Sequence, residues 1–510
     1  MSTHSTRRQF INLAAAGTAY LGAGHWGLCG GLPPVSAAET ELNPRLVQFN
    51  PNIEPLVRLL EDTSRESVLE EVAHRIRNKT SYREILASLL LAGVRNVQPR
   101  PSVGFKFHAV LVVNSAHLAS LAAPDTERWL PIFWAIDYFK AQQAREVQAS
   151  GWRMTPVNES LVPAAHQARA VFVDAMDHWN DAVADAAIAG LCRTAGSHEI
   201  FELLVRYGAR DYRSIGHKAI YVANSWRTLQ CIGWQYAEPV LRSLVHALLN
   251  HGDDPNPVDS DLEADRPWRD NGPRAGQLRA EWRGGSIDNS ATRDMLATLH
   301  DDDSAAAADQ AVEIINRGVS PQSVWDAVLV GSGELLMRQP GIIGLHTLTT
   351  SNALHYAYQS TANDDTRRML LLQASAFLPM FQKSAAGRGE VANIRVDDLA
   401  TDSAAFDEPL TIDKIMSDVS HDPQRAAQSV LRLMADGGDA RALIQSARQL
   451  TFFKGRDAHD YKFSSAVLED YYHVSPDWRE KFLALSVFNL RGTGDPDTEL
   501  VQRTRAALAS

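Results

Sequence analysis

The stretch GHKAIYVANSWRTL, residues 216–229, sets His217 at the head of an apolar run and places Asn224 inside it. Taken alone it is a helix or strand rich in Ala, Ile and Val; apolar residues recur at three- and four-residue spacing through SVLEEVAHRIRNKTSYREILASLLLAG (67–93), so the unit reads as helical. The phrase returns. FKFHAVLVVNSAHLASL (105–121) and IIGLHTLTTSNALHYAY (342–358) lay over it. In all three a histidine precedes an asparagine by six or seven positions: His108 and Asn114, His217 and Asn224, His346 and Asn352. A fourth segment, AHDYKFSSAVLEDYY, begins with His459 and lacks the asparagine. The four histidines are 109, 129 and 113 positions apart. That is longer than a two-helix repeat and suits a unit of about four helices.

The text upstream matches as well. SYREILASLLLAGVRN (81–96) parallels SHEIFELLVRYGARD (197–211), with nine residues from Glu84 to Gly93 and from Glu199 to Gly208. NRGVSPQSVWDAVLVGSGELL (316–336) holds the same place before the third histidine. Gly93 is expected to stop its helix, Ser197 and Ser320 to cap theirs, and Pro321 to open the third. The β-branched run HAVLVV fits a strand or a buried helix, and its place between helical segments favours the helix. The expectation is therefore an all-α, multi-helical protein of about four internally repeated units around a histidine-lined pocket. The units fall at about 52–147, 167–249, 292–383 and 410–505 of one large domain, 38–510. Polar, proline-bearing insertions at 148–166, 250–276 and 384–409 read as loops.

The N-terminus points elsewhere. Thr6-Arg7-Arg8-Gln9-Phe10-Ile11 has the twin-arginine form of a bacterial export signal. PPVSAAE offers small residues for cleavage near Ala37 or Ala38, giving a signal peptide of 1–37. Glycines and His25 interrupt its apolar stretch, so it is a poor anchor, and no stable membrane span is expected. The expected location is the periplasm or the extracellular space, with the twin-arginine translocation machinery as a transient partner. That route carries folded proteins, many already loaded with a cofactor. Losing two arginines and no acids takes the net charge from −11 to −13, leaving no basic footprint for nucleic acid. Three cysteines exclude a disulfide framework; Cys192 and Cys231 sit in apolar helical runs and read as buried hydrophobes.

If each repeated helix starts at one hollow, four imidazoles meet there. His108, His217, His346 and His459 then form a metal-ligand set suited to iron, copper or zinc, with Glu199 and Asp457 as nearby acids. Asn114, Asn224 and Asn352 lie roughly 600–700° of helical rotation beyond their histidines, near the same face, where they could bind substrate or fix a tautomer. The structural alternative is open: each histidine could simply bond a neighbouring carbonyl in the core. HDDDSAAAAD (300–309) lacks the glycine and spacing of a calcium loop and reads as a helix cap. GxGxxG, P-loop and GxSxG patterns are all absent. Trp129, Trp134, Trp226 and Trp234 read as core, with an aromatic substrate wall as the other reading.

These segments carry a family resemblance. GHKAIYVANSWRTL is similar to the Gly-x-x-His helix of questin oxidase-like proteins, and LHTLTTSNALHY resembles that family's His-x-x-Thr helix ending in Ala-Leu. AHDYKFSSA resembles its C-terminal His-x-x-Lys segment, here His459 and Lys462. The resemblance spans most of the mature chain. It implies oxidative cleavage of an anthraquinone ring by oxygen insertion of Baeyer–Villiger type, with a nicotinamide reductant. It also implies a pocket lined by His108, His217, His346, Thr349, His459 and Lys462. Nicotinamide is scarce outside the cytoplasm, so an exported member needs another electron source. The expectation is an exported oxidoreductase acting on a cyclic, aromatic or quinone-like small molecule. In it His217, His346, His459 and Lys462 are catalytic, and His108, Asn114, Asn224, Thr349 and Asn352 bind substrate. A non-enzymatic helical module of the cell envelope is the second reading, and a hydrolase or lyase built on a His/Lys pair the third.

Overall fold

A computed structural model describes residues 43–99, 105–249, 255–301, 303–399 and 410–509. The expected signal peptide and Cys29 lie outside these residues. Among the described residues there are 22 α-helices, and the one β-type pairing is an isolated bridge between Ser286 and Val319. The all-α expectation holds, and HAVLVV opens the helix His108–Ala122. Residues Arg45–Ser510 form one packed unit.

Four helices organise its centre: His108–Ala122, His217–Ile232, Ile342–Ser360 and Ala458–Asp470, called here the first to fourth histidine helices. They pack in a closed ring, first on second, second on third, third on fourth and fourth on first. All four run the same way. His108 meets His217, and six or seven residues further along Asn114 meets Asn224. Ser465, six past His459, bonds the carbonyl of Ser115, seven past His108. Parallel neighbours cannot be joined by a tight turn, because the chain must return to the starting end each time. The other helices make those returns, which accounts for spacings above 100 residues between histidines.

The first histidine helix is hidden almost all round, so its sequence reads as a near-continuous apolar run rather than a stripe. Small residues let the outer helices approach. Gly93 does not end its helix, as expected, but lies inside Tyr82–Asn96. A Cβ there would come within 3.0 Å of Val110 on the first histidine helix. Gly208 stands in the matching place, where a Cβ would come within 2.7 Å of Val222 on the second. These glycines set helix–helix distance, not helix length.

Other local expectations divide. Ser320 caps Pro321–Arg338 by accepting from the Gln322 amide. Ser197 does not cap; it is the first helical residue and Gly196 holds the cap position. The loop expected at 250–276 contains a helix, Arg266–Ala275, which opens with a proline and tolerates Pro273 near its end. In HDDDSAAAAD, Asp303 caps the helix Ser304–Asn316 by accepting from the Ala305 and Ala306 amides. The third histidine is not at its helix start: Ile342–Ser360 begins four residues before His346.

Candidate functional site

Gly216 turns the chain into the second histidine helix with φ +80°, a left-handed conformation that glycine adopts without penalty. Its lack of a side chain also lets the third helix close in, since a Cβ would overlap the Thr350 hydroxyl and lie 2.7 Å from its methyl. Just upstream, Asp211 and Lys218 form an ion pair of 2.7 Å with both side chains fully buried. These devices fix the start of the helix, and with it His217.

The four histidines gather in a ring that follows the order of their helices. His217 Nε2 lies 3.1 Å from His108 Nε2 and 3.1 Å from His346 Nε2. The His459 ring is 4.7 Å from the His108 ring and 5.3 Å from the His346 ring, centre to centre. Nitrogens of His108, His346 and His459 all fall within 4.8 Å of one another. Lys462 extends its amine to 3.4 Å from His217 Nε2.

Tautomers follow from the partners. His217 Nδ1 is 2.7 Å from the Ser214 carbonyl and His346 Nδ1 is 2.7 Å from the Ile342 carbonyl. A carbonyl only accepts, so both Nδ1 atoms carry the proton and both Nε2 atoms present lone pairs. Two lone pairs therefore face each other at 3.1 Å. Protonation does not resolve the clash, because burial, with the charge of Lys462 and of the other imidazoles, holds both rings far below the ordinary imidazole pKa. Lys462 can donate to His217, yet His346 stays an acceptor facing an acceptor. His459 adds a buried Nε2 without a hydrogen-bond partner.

A metal ion removes this conflict. Nitrogens bound to one ion at about 2.0–2.1 Å stand about 2.9 Å apart at a right angle and about 3.4 Å apart at the tetrahedral angle. The 3.1 Å separations fall between these limits. Nδ1–H bonded to a carbonyl while Nε2 faces inward is the outer arrangement that metal-ligating histidines usually have. On the fourth helix Asp457 Oδ1 lies 3.4 Å from His459 Nδ1. Burial opposes its ionisation, but hydrogen bonds and charge from His459 bring the Asp457 carboxyl down to about 2. Burial lowers the Lys462 amine to about 7, against a small opposing pull from Asp457.

The expected substrate residues lie below the ring. Asn114, Asn224, Thr349, Asn352 and Lys462 line one cleft between the four helices, leaving about 10 Å³ for the centre of a water molecule. Asn224 donates to the Leu111 carbonyl at 2.9 Å, and Asn352 donates to Glu469 at 3.0 Å and Asp470 at 2.9 Å. The Thr349 hydroxyl is occupied within its own helix. As it stands, the cleft is too narrow for an aromatic ring.

Glu199 does not join the set; it pairs with Arg169 at the surface. Its helix, Ser197–Gly208, packs on the outer side of the second histidine helix, so its first turn faces solvent. Trp134 and Trp226 are buried and stack on Tyr461 and Phe201, as core residues do. Trp129 and Trp234 are partly buried against the same core. Cys192 and Cys231 are half-buried free thiols. Arg227, Glu469 and Asp470 were not anticipated. Arg227 is three past Asn224, and Glu469 seven past Lys462, so helical spacing from known positions was the signal for both.

No family model matches the chain, and neither the curated proteins nor the solved structures include one that matches it.

Proposed function

We propose that the ring of His108, His217, His346 and His459 holds a transition metal, iron, copper or zinc, and that the chain is an exported oxidoreductase acting on a cyclic small molecule. The observation that carries this reading is the pair of Nε2 lone pairs of His217 and His346, each fixed by an Nδ1–H bond and facing the other at 3.1 Å. Lys462 can satisfy His217, so the atom left facing an acceptor is His346 Nε2, and leaving it unpaired costs about 1–3 kcal/mol. A metal in this ring would supply Lewis acidity or one-electron chemistry. Four neutral imidazoles add no charge of their own, so the net charge of the centre would be that of the ion and any anion bound with it. Lys462, whose amine burial lowers to about 7, holds or releases a proton beside His217 Nε2. Asp457 keeps a negative charge beside His459 and orients that ring. The resemblance to questin oxidase-like proteins supplies the oxidative direction and the aromatic substrate class.

The second reading is a helical binding or scaffold protein of the cell envelope. Its support is the tight packing: the His108, His217 and His346 side chains are nearly inaccessible, and the cleft below them is narrow.

The test is loading the purified mature chain with Fe(II), Cu(II) or Zn(II) in turn, then elemental analysis after desalting. One ion per chain is expected for at least one metal, with none retained by His217→Ala or His346→Ala chains whose helical spectrum is intact. Oxygen uptake on adding quinone-like aromatics to the loaded protein then tests the activity. Failure to retain any of the three metals, or retention unaffected by both substitutions, ends the metal reading and leaves the scaffold.

A further inference from the structure

The proline-bearing insertion 250–276 closes one side of a cavity in the outer layer. Its Pro257, Val258 and Trp268 face Val173 of the helix Ala168–Asp177 and Tyr207 of Ser197–Gly208. About 150 Å³ is open there to the centre of a water molecule. One water needs about 10–15 Å³ by that measure, so the space holds on the order of ten waters, enough for a small aromatic molecule. Val258 is 53% exposed, so the cavity reaches solvent. Arg210 also lies in its wall, with a side chain only 4% exposed. Its Nη1 donates to the Met176 carbonyl at 3.2 Å, but its Nε and Nη2 are buried with no hydrogen-bond partner among the described residues. Those two atoms form the edge with which a guanidinium grips a carboxylate through two parallel bonds. Arg95, Arg213 and Arg242 are buried to the same depth, and each gives that edge to both oxygens of an acid: Glu61, Asp265 and Asp185. Arg210 has no such acid. Asp265 is held by Arg213 and Asp211 by Lys218. Asp177 stops 3.9 Å from Nη1, and its Oδ1 already accepts from the Tyr207 hydroxyl at 3.0 Å. Burial holds the Arg210 guanidinium below the ordinary arginine value, although the charges of Asp211, Tyr207 and Asp177 pull the other way. A buried cation short of an anion is costly to keep.

We propose that this cavity binds a small organic monocarboxylate with an apolar or aromatic body, its carboxylate gripped by Nε and Nη2 of Arg210 and its body against Tyr207 and Trp268. Both nitrogens are closed to solvent as the guanidinium lies, 5.0 Å from the centre of the Tyr207 ring. The guest therefore draws the guanidinium outward, and the long contact to the Met176 carbonyl gives way. Two charge-assisted bonds replace one neutral acceptor, which favours the exchange. None of the lining residues belongs to the histidine ring, so the site stands whether or not that ring holds a metal.

The probe is benzoate, titrated by calorimetry into the purified, metal-free chain at neutral pH, with benzamide as its uncharged counterpart. Benzoate is expected to bind saturably at one site per chain, and benzamide about tenfold more weakly or less well still. Arg210→Met should weaken benzoate by about tenfold or more and leave benzamide as it was. Val173→Phe, which fills the cavity and keeps the guanidinium, should weaken both. His346→Ala should bind benzoate as the native chain does, which separates this site from the ring. Should Arg210→Met fail to fold, Arg210→Lys takes its place with the same expected loss, because it keeps the charge and removes the two-bond edge. The absence of saturable benzoate binding overturns the proposal. So does equal affinity for benzoate and benzamide, or a benzoate affinity indifferent to Arg210 or to Val173. Loss of benzoate binding in a folded His346→Ala chain would place the site at the ring and overturn it too.

Discussion

Replacing Gly216 by alanine tests how the ring is assembled. The native backbone there has φ +80°, and holding an L-residue in that region costs about 1–2 kcal/mol. The new methyl would also overlap the Thr350 hydroxyl, with the Thr350 Cγ2 and Cβ at 2.7 and 2.8 Å. Overpacking of this kind costs about 1–3 kcal/mol. Together the two effects put Gly216→Ala near 3 kcal/mol. Unfolding entropy of about 2.1 cal/mol/K per residue gives roughly 1 kcal/mol/K for the unit Arg45–Ser510, so the melting temperature should fall by about 3 °C. Thr350→Ala removes the overlapping hydroxyl and methyl, leaves Cβ at 2.8 Å, and gives up a long hydroxyl contact to the Ile215 carbonyl at 3.5 Å. By itself it should cost about 1 kcal/mol. The double variant should be more stable than additivity allows by about 1 kcal/mol, because the clash with the hydroxyl and methyl goes while the close Cβ contact and the backbone part stay. Calorimetric melts of the four proteins close the cycle. Additivity within about 0.5 kcal/mol would show that Gly216 does not seat the second helix against the third, and the account of how His217 is placed would fail.

Two further outcomes follow from buried charge. Lys218→Met leaves Asp211 ionised with its closest partner gone and should cost about 3–5 kcal/mol in urea unfolding, whereas the double change Asp211→Leu/Lys218→Met should cost far less; equal losses would refute the pairing. His217 and His346 are held neutral when folded, so below about pH 6.5 the unfolded chain binds protons that the folded chain does not. Their contribution to stability is complete above that pH and is lost as pH falls through it. Lys462 acts in the same direction higher up: with a folded value of about 7, its contribution grows from pH 7 towards about 10. Urea midpoints should therefore fall from pH 8 to pH 5, less steeply in His346→Ala, and Lys462→Met should flatten the limb above pH 7. A midpoint independent of pH across this range would contradict the buried, neutral ring.

The ring was legible in the chain because parallel helices with a common starting end repeat one phrase: a histidine, then an asparagine two turns on. His108, His217 and His346 could be named from that phrase, His459 from a weaker fourth copy without the asparagine, and Lys462 only from the family resemblance. What could not be read was the means of placement. Gly93 looked like a terminator because glycine ends many helices, and only the approach of Val110 shows why it sits mid-helix. Glu199 looked available because it is near His198 in sequence, but an outer helix turns it to solvent. The carbonyls of Ser214 and Ile342, which decide the tautomers, are backbone groups and leave no mark on composition. Arg227 and Glu469 meet across two helices 242 positions apart, a pairing that no local pattern encodes.

The shared direction of the four central helices has an electrical consequence. Each helix carries the equivalent of about half a positive charge at its first turn and half a negative charge at its last. With His108, His217 and His459 in the first or second position of their helices, three positive poles converge on the ring, and the pole of the third helix lies about one turn away. The field there favours electron-rich species: a hydroxide, a peroxide, the oxyanion of a ring carbonyl. An ion held there would be drawn towards its lower oxidation state. At the opposite poles the sign reverses, and burial and the charge of Glu469 push the carboxyl of Asp470, the last residue of its helix, well above the ordinary carboxylate range. The bundle is thus polarised along its length, attractive to anions at the end where the imidazoles meet.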